Sequence, residues 1–154
     1  MKYSKSDIQR FIEAQESLFC GYEVALQEVK SGRKRSHWIW YTFPQFRELG
    51  QSSRSDYWGI ADRQEAADYL AHPLLGVRLR EVTSALLAHK DKPIAEILGV
   101  LDVTKLHSSM TMFDAISPND IFGAVLTTFY SNEHDEKTLE ILGRECSVCQ
   151  INSI

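Results

Sequence analysis

A run of three cations, a serine, a histidine and two tryptophans stand together in Arg33-Lys34-Arg35-Ser36-His37-Trp38-Ile39-Trp40-Tyr41-Thr42-Phe43-Pro44-Gln45. Aromatic faces attract cations and stack on planar groups, while ammonium and guanidinium groups hold phosphate. Ser36, His37 and Gln45 add hydrogen-bonding capacity with little apolar surface, so with Lys34, Trp38 and Trp40 they make a candidate seat for a planar, phosphorylated ligand. Alternation puts Trp38, Trp40 and Thr42 on one side of an extended strand and His37, Ile39, Tyr41 and Phe43 on the other. The segment therefore reads as a strand buried on two sides or lining a pocket. Core packing is the competing reading for each tryptophan taken alone, because aromatics bury the largest areas.

A second constellation is Asp102-Val-Thr-Lys105-Leu-His107-Ser108-Ser109-Met110-Thr111. At helical spacing Asp102, Lys105 and Ser109 share one face, and Leu101, Leu106, Met110 and Phe113 cover another. That face is either a solvated Asp102–Lys105 ion pair or a wall of a pocket. In the second case Lys105 binds phosphate or ribose, and Ser108 and Ser109 supply hydroxyls. A hydrolase triad of Asp102, His107 and a serine is disfavoured, since neighbouring helical residues point apart and no Gly-x-Ser-x-Gly elbow exists. Glu13 is the other carboxylate with catalytic potential besides Asp102. It falls beside Ile12 at the edge of the first helix's apolar stripe, where partial burial would raise its pKa and suit general acid or base work.

The histidines at 37, 72, 89, 107 and 134 have no metal-ligand spacing, and the glycines form no dinucleotide or phosphate loop. No metal, cofactor, nucleotide triphosphatase or Rossmann site is expected. Cys146 and Cys149 form a lone C-x-x-C, which zinc would need to complete with two more ligands. The net charge of −4 gives no global basic field for long nucleic acid, although basicity at 33–35 still suits a small phosphorylated ligand. No apolar stretch approaches a membrane span, the first residues lack a signal-peptide core, and the odd cysteine count of three has no framework spacing. A cytosolic protein is the expectation; oligomeric state is not legible.

With 154 residues, 44% of them hydrophobic, the chain has material for one core. Ser6 and the Ile8, Phe11, Ile12, Gln15 pattern open a helix, and a second runs from Tyr22 to a stop at Ser31-Gly32. Residues 47–60 have no sustained period and read as a long surface loop. Further helices are expected at Arg63 to Ala71, Leu74 to His89, Ile94 to Leu98, Asp102 to Ala115, Asn119 to Tyr130 and Thr138 to Leu142. The expected architecture is mainly α: one compact helical domain over residues 1–145 with at most a small β-strand pair, then a disordered tail at 146–154.

The order Phe11-x-x-Ala14-Gln15, Gly32-x-Lys34-x-Ser36-His37-Trp38-x-Trp40-x-x-Phe43-Pro44-Gln45, His72-Pro73-x-Leu75-Gly76-x-Arg78 and Asp102-x-x-Lys105-x-x-Ser108-Ser109-Met110-Thr111-x-Phe113 resembles a family of small proteins. Its members are described only as a domain of unknown function and are often labelled calpastatin. Through it the chain resembles the YbiA-type NADAR proteins, helical and linked to NAD and ADP-ribose, some of them N-glycosidases. That resemblance implies hydrolysis of an N-glycosidic bond in an ADP-ribose- or nucleotide-like compound. A glutamate on an early helix would serve catalysis, a role that falls to Glu13. The alternative is a module that binds such a ligand, or a protein partner, without turnover.

Overall fold

A computed structural model describes the backbone of residues 2–152 and the side chains of residues 2–145. Among the described residues ten α-helices follow one another: α1 Gln9–Gln15, α2 Tyr22–Ser31, α3 Ile39–Thr42, α4 Ser53–Trp58, α5 Arg63–Ala71, α6 Leu75–Leu87, α7 Ile94–Leu98, α8 Val100–Ile116, α9 Ile121–Phe129 and α10 Glu136–Asn152. The fold is mainly helical and forms a single compact domain. Among the described residues the extended pairing is limited to one isolated parallel bridge, Phe46 to Ile60.

The centre is α8, which packs against α5, α7, α9 and α10. Leu106, Met110, Met112 and Phe113 are fully buried, and so are Ser109 and Thr111, so the helix is enclosed on most sides. Two of its hydroxyls, those of Ser108 and Thr111, are spent on neighbours. Ser108 Oγ donates to the Thr104 carbonyl at 3.1 Å and to Asp135 Oδ2 at 3.0 Å, and Thr111 Oγ1 accepts from the Asp135 amide at 2.9 Å. Asp135 in turn takes the Thr138 amide and hydroxyl, which starts α10. α6 lies on α5, α9 and α2, and its first turn comes so close to the end of α5 that a Cβ at Gly76 would sit 2.0 Å from the Leu70 carbonyl oxygen.

The aromatic segment is the main correction to the sequence reading: residues 39–42 are a helical turn, not a strand. Two tertiary anchors override the alternation. The Tyr41 carbonyl, left without an intrahelical partner at the end of α3, accepts from Gln15 Nε2 at 2.9 Å and from the Tyr69 hydroxyl at 3.0 Å. The Trp38 indole is drawn inward to a carboxylate on α2. The expected loop at 47–60 is also corrected, since it holds a 3-10 turn at Arg47–Leu49 and α4. Ser52 and Ser55 cap α4 reciprocally through their hydroxyls, a serine version of the capping box. At the N-terminus Asp7, rather than Ser6, accepts the Gln9 amide. The helix at the C-terminal end begins at Glu136 and its backbone runs to Asn152, past the expected stop at Leu142.

Candidate functional site

Two carboxylates organise the cation-rich corner between α2, α3 and α8. The first is Glu28, on the last turns of α2. Its Oε1 accepts from the Arg35 amide at 2.7 Å, the Ser36 amide at 2.9 Å and the Trp38 indole at 2.9 Å, and its Oε2 accepts from Ser36 Oγ at 2.6 Å. Burial pushes the carboxyl's pKa up; the bonds from the Ser36 hydroxyl, the Arg35 amide, the Trp38 indole and the Ser36 amide outweigh it and hold the pKa below the ordinary glutamate value. Gly32, left-handed at φ 83°, ends α2 and turns the chain so that residues 33–38 wrap back onto this carboxylate.

The second carboxylate is Asp102, in the first turn of α8. Its Oδ2 pairs with Lys34 Nζ at 2.9 Å and its Oδ1 with Lys105 Nζ at 3.4 Å. Each ammonium also lies over a tryptophan: Lys34 Nζ is 5.2 Å from a Trp38 ring centroid, and Lys105 Nζ is 5.0 Å from that of Trp40. Two cations on one anion leave this cluster with a net positive charge, and Lys34 is nearly buried, with 9% of its side chain exposed. Beyond Lys34 opens a groove of about 490 Å³ lined by Gly32, Arg33, Lys34, Lys92, Glu96 and Gly99, among others. The Lys34 amide donates to the Ile97 carbonyl at 2.6 Å, which fixes the α2–α3 connection against α7. Gly99, at the groove edge, opens α8 without a side-chain cap, so the positive end of that helix faces the same side as the cations.

The structure thus brings together Lys34, Asp102, Lys105, Trp38 and Trp40 from the sequence candidates. Trp38 is fully buried and cannot stack on a ligand, while Trp40 is half-buried beneath Lys105. Ser36 is engaged with Glu28, and Ser108 with Asp135. His37 is exposed, and its carbonyl accepts from the Tyr41 hydroxyl. Ser109 Oγ is buried without a hydrogen-bond partner among the described residues. Gln45 lines a small chamber with Trp40 and Lys105. Glu13 is exposed on α1, so the partial burial expected for it is absent; its charge falls near Tyr57, whose phenol is raised first by burial and then by that carboxylate. His107 stacks on Tyr130 with 4.3 Å between centroids, and its Nε2 lies 2.7 Å from the Glu133 carbonyl. Cys146 and Cys149 lie outside the residues whose side chains are described.

The sequence reading missed Glu28, Lys92 and Trp58. Glu28 has the signature of a solvated helix face, Lys92 sits in a turn, and Trp58 falls in what reads as a loop. The one available signal was Glu28 lying within one helical turn of the Ser31-Gly32 stop, with unpaired donors at Ser36 and Trp38 downstream.

A helical fold built on these blocks defines a family: the chain belongs to the one described as Protein of unknown function (DUF1810), whose match covers residues 5–142. Among solved structures it is similar to the conserved hypothetical protein Rv1873 from Mycobacterium tuberculosis. The two share 40% identity at a TM-score of 0.83, over 87% of this chain and 94% of that one. No curated protein matches the chain. These matches correct the resemblance drawn from the motifs. They place the chain in the DUF1810 family, and neither points to the YbiA-type NADAR proteins or to calpastatin. Among the described residues no helix is long and apolar enough to cross a membrane.

Proposed function

We propose that this protein is a binding module for a small phosphorylated ligand, seated in the groove beside Lys34, and that it does not turn the ligand over. The observation that carries this reading is the lining of one open groove of about 490 Å³, which holds three cationic residues, Arg33, Lys34 and Lys92, and the single carboxylate of Glu96. A volume of that size accommodates a metabolite, and phosphate oxygens match guanidinium and ammonium donors. The uncapped start of α8 adds to the same potential.

Hydrolysis of an N-glycosidic bond would need a carboxylate free to accept a proton or stabilise an oxocarbenium ion. Asp102 has both oxygens on lysines, and Glu13 is exposed on α1. Neither of these two carboxylates is therefore placed for that chemistry.

Calorimetric titration with inorganic pyrophosphate and with adenosine monophosphate tests the proposal. Saturable binding is expected to weaken about tenfold in Arg33→Ala and Lys92→Ala, each removing one charge-assisted contact, and to weaken further as salt is raised. Absence of binding, or binding indifferent to both substitutions, removes the proposal; release of free base from a nucleoside phosphate would show catalysis instead.

A further inference from the structure

Val100 and Leu101 open α8 with 80% and 84% of their surface exposed. The sequence puts Leu101 on one face with Leu106, Met110 and Phe113, yet of these four Leu101 alone is outside the core. The connection from α7 explains this. Ile94, Ile97 and Leu98 turn into the core, and Gly99, left-handed at φ 86°, then redirects the chain so that the next two side chains stand in solvent. A Cβ on Gly99 would meet nothing within 4 Å, so the corner is clear of the rest of the molecule.

Cations bracket this apolar pair. On one side Gly99 borders the groove of about 490 Å³ that Arg33, Lys34 and Lys92 line. On the other, Lys105 Nζ lies 3.3 Å from the Leu101 carbonyl and 3.4 Å from Asp102. With the exposed Arg35, the corner holds five cations against three carboxylates, Glu28, Glu96 and Asp102. It is positive on a chain whose net charge is −4, so the sign is local and adjoins the apolar pair.

A second adjacent pair, Leu18 and Phe19, exposed to 88% and 86%, supplies the contrast. Its neighbours in the chain include Glu13, Glu16 and Glu23, all exposed. Similar apolar exposure thus occurs once among carboxylates and once among cations, and only the second suits an anionic surface.

We propose that the Val100–Leu101 corner docks on an anionic phospholipid bilayer. The two side chains enter the boundary between headgroups and acyl chains, and a headgroup phosphate occupies the groove among Arg33, Lys34 and Lys92. The inference rests on the groove reading and names its phosphate as that of a lipid. A bilayer fits this corner better than a protein partner does. Stable protein interfaces bury roughly 1,200 Å² or more around a well-packed apolar centre, which two aliphatic side chains do not make. At a bilayer each inserted side chain and each cation near the surface adds its own attraction. The contact is peripheral and needs no membrane-crossing helix.

Co-sedimentation of the full chain with phospholipid vesicles tests this. The protein is expected to bind vesicles of phosphatidylcholine containing about 30% phosphatidylglycerol, to ignore vesicles of phosphatidylcholine alone, and to be released as salt is raised. Val100→Ser combined with Leu101→Ser should weaken vesicle binding about tenfold or more. The same variant should keep its pyrophosphate affinity in calorimetry, since neither side chain lines the groove. Arg33→Ala and Lys92→Ala should each weaken vesicle binding about fivefold, and Leu18→Ser combined with Phe19→Ser should not weaken it. Pyrophosphate binding without vesicle binding would overturn the inference in favour of a free ligand and leave the groove reading standing; failure of both would overturn both. Vesicle binding undiminished in the Val100 and Leu101 variant would reduce the contact to charge alone and overturn the inference. An equal loss in the Leu18 and Phe19 variant would do the same.

Discussion

Glu28 and Asp102 stand on either side of the same cationic segment, yet they are used in opposite ways. Glu28 gathers neutral donors, two amides, a hydroxyl and an indole, all within 2.6–2.9 Å. Asp102 gathers two ammonium groups, one at 2.9 Å and one at 3.4 Å. Neutral donors on a part-buried carboxylate fix a backbone path and leave nothing over for a ligand. Two cations on one carboxylate leave positive charge unbalanced and one lysine poorly held. The contrast separates residues that look equally functional in sequence: Ser36 and Trp38 shape the corner, whereas Lys34 and Lys105 carry positive charge that Asp102 only partly balances.

Substitutions at the two carboxylates sharpen that contrast, beginning with the larger. Glu28→Ala should lower stability by about 2 kcal/mol, because the part-buried Ser36 and Trp38 donors lose their acceptor, and equilibrium urea unfolding measures it. The same carboxyl predicts a pH dependence. Its folded pKa lies below its ordinary value of 4.5, so its contribution is present above pH 4.5 and is lost as pH falls through the lower folded value. In Glu28→Gln that acid-side loss should be smaller than in the parent chain. An unchanged acid limb would mean that Glu28 is not the corner's anchor.

Asp102→Asn ranks next. It keeps the shape but leaves Lys34, nearly buried, without its counter-charge, for an expected loss of about 1–2 kcal/mol. The same substitution should tighten pyrophosphate binding, since Lys34 then lacks an internal anion; weaker binding in this variant would break the distinction between the two carboxylates. Lys105→Met should have the smallest effect on stability, below about 0.5 kcal/mol, while changing Trp40 emission, because the ammonium leaves that ring. A loss as large as that of Glu28→Ala would show that Lys105 is a structural tie.

Much of the helical frame was readable from the chain. Gly32 at a left-handed position marks the end of α2, and Ile94 to Leu98 between Pro93 and Gly99 is α7 as the helix signals predict. The aromatic segment was not, because alternation over a few residues is also compatible with one helical turn, and distant anchors from Gln15, Tyr69 and Glu28 decide between the two. α4 was hidden by a serine-rich sequence whose capping box uses Ser55 in place of the usual glutamate. At the site, the pairing of Lys105 with Asp102 follows from spacing alone. Their meeting with Lys34, more than 60 positions earlier, is a tertiary fact. Lys92 joins the groove through the turn before α7, and nothing in its local sequence marks it.

The most direct test of the account is a titration of the isotope-labelled protein with inorganic pyrophosphate, following backbone amides. If the Asp102 side of the segment binds and the Glu28 side only shapes it, the amides of Gly32 to Lys34, Lys92 and Gly99 to Leu101 move saturably, and those of Arg35 and Ser36, bonded to Glu28, stay nearly still. Movement centred on Arg35 and Ser36, or none at millimolar pyrophosphate, would contradict it.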